Sequence, residues 1–145
     1  MSQTNELEIM ERIALDLEHV EESLASSFNT GAEDFNALIR PLSAAGGKRL
    51  RAQLCLLIAN AGTSIERQRI KIAEAVEMLH LATLIHDDVL DQAEIRRGED
   101  TIHMHKGNKV AILSGDYLFA KAFKIVSEMT NMKYLQVFSH IITCL

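Results

Sequence analysis

Proline occurs once in this chain, at Pro41, and over most of its length apolar residues return every three or four positions. One helix breaker and that spacing leave little room for anything but α-helix, because a strand alternates with period two. Leu7, Met10, Ile13, Leu17, Val20 and Leu24 trace one apolar stripe, so residues 5–28 are predicted to form a first amphipathic helix. Thr30 and Glu33 have capping-box spacing and open a second helix, kinked at Pro41 and ended by Gly46-Gly47. A third is predicted over Lys48–Asn60. Thr63 and Glu66 repeat the capping-box spacing ahead of a fourth that runs to Asp91, roughly 40 Å at the standard rise. Its second half, Val76–Ile85, is apolar on nearly every side and is expected to lie at the centre of a bundle. Residues 92–106 form a polar connection, and further helices follow over Lys109–Met129 and from Met132. The expected fold class is all-α, a bundle of about six helices forming one domain over residues 1–145.

Composition narrows the function. With 15 Lys+Arg against 20 Asp+Glu the net charge is −5, and no basic run is long enough for general nucleic-acid binding. No stretch supplies the roughly 18 uncharged apolar residues of a membrane span. Met1–Glu11 is too polar and acidic for a signal peptide. Cys55 and Cys144 stand far apart without CxxC spacing, which points to a reduced, cytoplasmic compartment. The last helix, carrying Phe138, Ile141, Ile142, Cys144 and Leu145, has neither a glycine cap nor a basic final turn. It is therefore expected to be part of a larger apolar pattern.

Three charged groups carry the chemistry. His86-Asp87-Asp88-Val89-Leu90-Asp91 ends the apolar helix, with Asp87 and Asp91 four residues apart on one face and Asp88 turned by roughly 100°. Like charges at that spacing repel, and a hard divalent cation such as Mg²⁺ relieves the repulsion through oxygen ligands. A solvated acidic helix end is the plainer alternative. Gly46-Gly47-Lys48-Arg49-Leu50-Arg51 puts cations at a helix N-terminus, where the macrodipole disfavours them unless an anion docks there. A basic turn after a glycine cap is the alternative here, and a nucleotide P-loop is excluded by Leu42 and Arg49. Arg96-Arg97-Gly98 follows in the connection, where paired arginines can fork phosphate oxygens and glycine allows close backbone approach. His80 lies two turns before Asp87 on the same face, amid Leu79, Leu81 and Ala82, a setting that also suits a core histidine. His103 and His105 have no metal-site spacing.

The ordered set GGKRLR, HDDxxD, RRG resembles the trans-prenyltransferases, the polyprenyl diphosphate synthases of the all-α isoprenoid synthase fold. The resemblance runs from Ile39 to Val126 and takes in Glu77-Met78-Leu79-His80, Thr101-Ile102-His103, Gly107-Asn108 and Ala111–Leu118. It implies that Asp87 and Asp91, with Asp88 beside them, serve Mg²⁺ as the first aspartate-rich motif. It implies that Arg96 grips an allylic prenyl diphosphate, and that Lys48, Arg51, His80 and Arg97 form the pocket for isopentenyl diphosphate. It also implies that bulk beneath the aspartates limits product length. Ala82 and Thr83 are small there, so a long-chain product of the hexaprenyl or heptaprenyl type is expected, with Leu79, Phe119 or Phe123 setting a lower floor.

Departures accompany the resemblance. Ala52 stands where the family usually has proline, and Asp100 where proline often precedes Thr101. Family members are about twice as long and carry a second aspartate-rich motif that these 145 residues do not contain. The expectation is thus an N-terminal half of the fold, with little synthase activity alone. It would form a homodimer through the helices over Lys109–Leu145, or a hetero-oligomer with a second subunit. The alternative is a catalytically inactive diphosphate-binding or assembly module. A metal phosphohydrolase of the HD type, suggested by His80 and His86-Asp87, would leave both basic groups idle.

Overall fold

The structure, a computed structural model, describes residues 3–29, 33–44, 48–62 and 65–144, of which 3–6 and 42–44 by backbone alone. Among them are seven helices and one short hairpin. In chain order these are α1 (Gln3–Ser27), α2 (Glu33–Ala44), α3 (Leu50–Asn60), α4 (Glu66–Leu90), β1 (Ile95–Arg96), β2 (Glu99–Asp100), α5 (Ile102–Lys106), α6 (Asn108–Ser127) and α7 (Met132–Thr143). The all-α class stands. The polar connection holds more order than its composition implies: the hairpin and α5 occupy it, and α5 brings the helices to seven rather than six.

Helix α4 is the central element and packs most extensively on α6, then on α3 and α1. Ala73, Ala75 and Ala82 are fully buried along it, and such small side chains let neighbouring helices approach closely. Met78 and Ile85 meet a core that includes Val20 and Leu24 of α1, Leu56 of α3, and Leu118 and Ala122 of α6. The helix is not buried all round, however. Val76, His80, Thr83 and Leu84 are only half-buried, and Asp87 and Asp91 are exposed, so one stripe of α4 lies open. Phe35 of α2 meets Tyr117 of α6 edge-on, with ring centroids 4.7 Å apart, and Asn131 caps α7 by accepting from the Lys133 N–H.

The opposite side of α4 is bolted to α1 by buried charge. The Asp16 carboxylate is forked by Arg69 at 2.6 and 2.9 Å, and both side chains are almost wholly enclosed. Glu74, fully buried, accepts from the hydroxyls of Ser23 and Ser27 and from Lys71 Nζ, each at 2.7 Å. Ile65 occupies the N-cap of α4 and supplies no side-chain cap hydrogen bond. Thr30 and Thr63 of the expected capping boxes, and Gly46-Gly47 expected to end the second helix, lie outside the described residues.

Candidate active site

The end of α4 presents its three aspartates differently. Asp87 and Asp91 are exposed, and among the described residues neither carboxylate has a hydrogen-bond or ion-pair partner. Carboxylates at a helix C-terminus face the negative end of the macrodipole, so this placement is unfavourable without a cation. Paired oxygen donors with no protein partner suit a hard dication. Asp88 is instead buried, 3% exposed, and accepts from Arg96 Nε at 2.7 Å. It therefore orients an arginine rather than facing the same space as the other two.

The segment after α4 holds that arginine in place. Arg97-Gly98 is a two-residue turn joining β1 to β2, with φ of 54° and 86°. Positive φ at both central residues is what a tight hairpin turn of matching twist demands, and glycine supplies it without strain. Glycine is thus needed at position 98 for its turn; a Cβ there would meet nothing within 4 Å. The Ala93 carbonyl closes the loop, accepting from Thr101 Oγ1 at 2.8 Å and lying 2.8 Å from His103 Nε2. His105 lies 3.7 Å from Asp100. Beside the hairpin is a cavity of about 340 Å³, lined by Leu38, Leu81, Leu84, Ile102, Arg96 and Arg97 among others.

His80 reports the charge around it. Its pKa falls below the usual 6.5 through burial first and then the nearby Arg51 guanidinium, with Glu77 opposing and Arg97 and Arg96 adding to the fall. Arg51 and the Arg96-Arg97 pair, far apart in sequence, thus both act on the His80 imidazole. Lys48 is exposed at the start of α3, its carbonyl accepting from Gln53 Nε2 at 2.6 Å. Of the residues expected to limit product length, Leu79 and Ala82 are buried in the core, and Thr83 borders the open stripe with its hydroxyl on the His80 carbonyl at 2.8 Å. Phe119 lies 5.4 Å from the His86 ring and Phe123 meets Phe138 of α7 edge-on at 5.5 Å. None of the five lines the cavity.

Three features escaped the sequence reading. His86 turns onto α6, its Nε2 3.1 Å from the Ile112 carbonyl and 3.3 Å from Asp116 Oδ1. It fits only because residue 115 is glycine, where a Cβ would come within 2.3 Å of the ring. The HD phosphohydrolase reading loses its basis here, since the His86 Nε2 is taken up by the Ile112 carbonyl and Asp116 of α6. Arg49, which helical spacing turns away from Lys48 and Arg51, is the buried N-cap of α3, and its partners, Glu21 and Glu77, are not legible from the spacing. Asp16, His19 and Glu66 do bring ligand atoms within 4.8 Å of one another, but Arg69 already occupies the Asp16 carboxylate. That group lies near the opposite end of α4, about 30 Å from Asp87 at the helical rise.

Residues 32–145 match the family model described as polyprenyl synthetase. Solanesyl diphosphate synthase 1, chloroplastic, of Arabidopsis thaliana is 33% identical over 140 residues, covering 92% of this chain and 34% of that protein. Octaprenyl diphosphate synthase of Escherichia coli is 33% identical over 131 residues, 90% of this chain and 41% of that one. The crystal structure of a polyprenyl synthase from Caulobacter crescentus, complexed with calcium and isoprenyl diphosphate, superposes with a TM-score of 0.85 at 35% identity, covering 91% of this chain and 40% of that chain. The chain thus spans well under half the length of these relatives. No described helix is long and apolar enough to cross a membrane. The chain belongs to the polyprenyl synthetase family.

Proposed function

We propose that these residues form the magnesium- and diphosphate-binding wall of a trans-polyprenyl diphosphate synthase, which extends an allylic prenyl diphosphate with isopentenyl diphosphate. The observation that carries the reading is the end of the open stripe of α4, where Asp87 and Asp91 are exposed without partners among the described residues and Asp88 holds Arg96, which with Arg97 lines the adjoining cavity. In this reading Asp87 and Asp91 hold Mg²⁺, which would draw negative charge away from a departing diphosphate. Arg96, oriented by Asp88, takes the allylic diphosphate; Lys48, Arg51, His80 and Arg97 take isopentenyl diphosphate. The allylic C–O bond breaks and its electron pair leaves with the diphosphate. The double bond of isopentenyl diphosphate attacks the resulting cation, and loss of a proton restores a double bond in the longer chain. Fixed cations and excluded water favour that departure over hydrolysis.

The carboxylates and cations described here line one wall only, so binding without steady turnover is expected of the 145 residues alone. Calorimetric titration with isopentenyl diphosphate in Mg²⁺, followed by an elongation assay on farnesyl diphosphate, tests both parts. Absence of binding contradicts the diphosphate site; steady elongation by the isolated chain contradicts the one-sided site. A diphosphate-binding or assembly module is the second reading. It is favoured by apolar side chains left in the open at Leu50, Leu54, Leu57 and Ile58 of α3 and at Leu113 and Val137 of α6 and α7. Such faces are covered by self-association or a second subunit.

A long-chain product, of the hexaprenyl or heptaprenyl type, is proposed from the small residues below the aspartates. Ala82 is a poor place to test it, because it is fully buried and a larger residue there overpacks the core. Thr83 borders the open stripe. Thr83→Phe in a turnover-competent assembly should shorten the product, and an unchanged product length would remove the assignment. A cytoplasmic setting is proposed from the two free thiols, Cys55 and Cys144.

A further inference from the structure

Arg49 is the N-cap of α3 and has φ 46° and ψ 36°, a left-handed conformation that a non-glycine residue adopts only where its surroundings impose it. The reversal turns its side chain inward, where 7% remains exposed. Its Nε and Nη2 bond both oxygens of Glu21 on α1, and its Nη1 lies 3.5 Å from Glu77 Oε2 on α4. Lys48 and Arg51, on either side, are exposed. The second Glu77 oxygen accepts the Ala52 N–H at 3.0 Å. That donor is one of the N–H groups a helix start leaves unpaired, here satisfied from a different helix. The resembled family usually carries proline at this position and would have no donor to offer. Three residues further along α4 from Glu77 is His80, on which Arg51 acts.

We propose that Glu77, through Arg49 and the Ala52 N–H, is a positioning residue that sets the first turn of α3 so that Lys48 and Arg51 share one diphosphate site with His80. The inference rests on the diphosphate reading given above and adds the device that assembles it. Glu77 touches no substrate in this scheme. It acts as a fixed anion whose two oxygens define where α3 begins relative to α4, so that the exposed cations face the same solvent as the imidazole.

The test titrates the 145-residue chain with inorganic pyrophosphate and with isopentenyl diphosphate, in Mg²⁺, for wild type, Glu77→Gln, Arg49→Lys and Arg51→Ala. Glu77→Gln keeps an acceptor for the Ala52 N–H but removes the charge beside Arg49; Arg49→Lys keeps a cation there but removes the fork that ties the start of α3 to Glu21 and Glu77. Each should raise the dissociation constant about three- to tenfold, with Arg51→Ala at the upper end. Binding of Mg²⁺ alone, read at Asp87 and Asp91, should stay as in wild type, which a general loosening of the fold would not allow. Unchanged pyrophosphate affinity in both Glu77→Gln and Arg49→Lys, beside a loss in Arg51→Ala, overturns the positioning role and leaves the site standing. Failure of wild type itself to bind overturns both, and is recognised because Arg51→Ala then differs from nothing. If one variant fails to fold by circular dichroism, the other decides.

Discussion

The two sides of α4 carry charge in opposite ways. Toward α1 and α3 it buries Arg69, Glu74 and Glu77, and each of these has partners at hydrogen-bond distance from a distant helix. Along the open stripe and at its C-terminus it exposes Asp87 and Asp91, which have none among the described residues. Burying an ion is costly unless it is paired, so the first set must be complete before the fold can form. The second set sits against a helix dipole of the wrong sign, a placement that gains nothing for stability and makes sense for a bound cation. Paired charge ties this helix to its neighbours; the charge it exposes, without partners among the described residues, is where a cation is proposed to bind.

That contrast predicts the largest effect at the buried pairs. Arg69→Ala leaves Asp16 ionised and enclosed, and should cost about 3–5 kcal/mol of unfolding free energy. Urea denaturation measures this, and a loss near that of a surface substitution would dissolve the distinction. Next is Gly115→Ala. The added Cβ meets the His86 ring, so about 1–3 kcal/mol should be lost and the end of α4 displaced from α6. Thermal melts and a weakened Mg²⁺ response, read together, would show that this contact supports the aspartates as well as the core.

Acid sharpens the same comparison. Burial alone pushes the Asp16 carboxyl up, but hydrogen bonds from Arg69 and Asn60 and the Arg69 charge outweigh it, leaving the pKa below the usual 3.8. A depressed carboxyl pKa contributes stability that is complete above the unfolded value and fades as pH falls through the folded one. Stability should therefore drop as pH goes below about 4, and Asp16→Asn should flatten that part of the curve while lowering it overall. The smallest effect belongs to His80. An anion docked beside it favours the imidazolium, so pyrophosphate binding near neutral pH should take up protons. The heat of binding will then vary with the ionisation enthalpy of the buffer, and His80→Gln should remove the imidazole's proton uptake from that variation, leaving the ligand's own proton release.

Much of this was legible in the sequence because it is local. Apolar spacing such as Ile13, Leu17, Val20 and Leu24 marks a helix without reference to any other segment. Asp87 and Asp91, or Arg96 and Arg97, declare themselves as clusters for the same reason. What escaped depends on partners far along the chain. Asp16 and Arg69 are 53 residues apart, and Arg49 lies 28 from both Glu21 and Glu77, so nothing nearby distinguishes them from solvated polar residues. Glu74 and Glu77, set among Ala73, Ala75 and Met78, were the one available hint, since an acid inside an apolar run implies a buried partner. The hairpin escaped because strands of two residues have no period to detect, and its turn is Arg-Gly instead of the usual Asn-Gly or Asp-Gly. Asp88 shows the limit of motif reasoning. It shares a pentapeptide with Asp87 and Asp91, yet a rotation of about 100° along the helix sends it to Arg96 instead.

The most direct measurement is the dependence of pyrophosphate affinity on Mg²⁺, in wild type and in Asp87→Asn/Asp91→Asn. If the exposed aspartates hold a cation facing Arg51, Arg96 and Arg97, Mg²⁺ should tighten pyrophosphate binding by about tenfold or more in wild type and leave the double variant unaffected. The variant should also be no less stable than wild type, because neither carboxylate has a partner to lose among the described residues. Equal Mg²⁺ dependence in both proteins would contradict this, and would mean that the ion is held elsewhere or not by the protein at all.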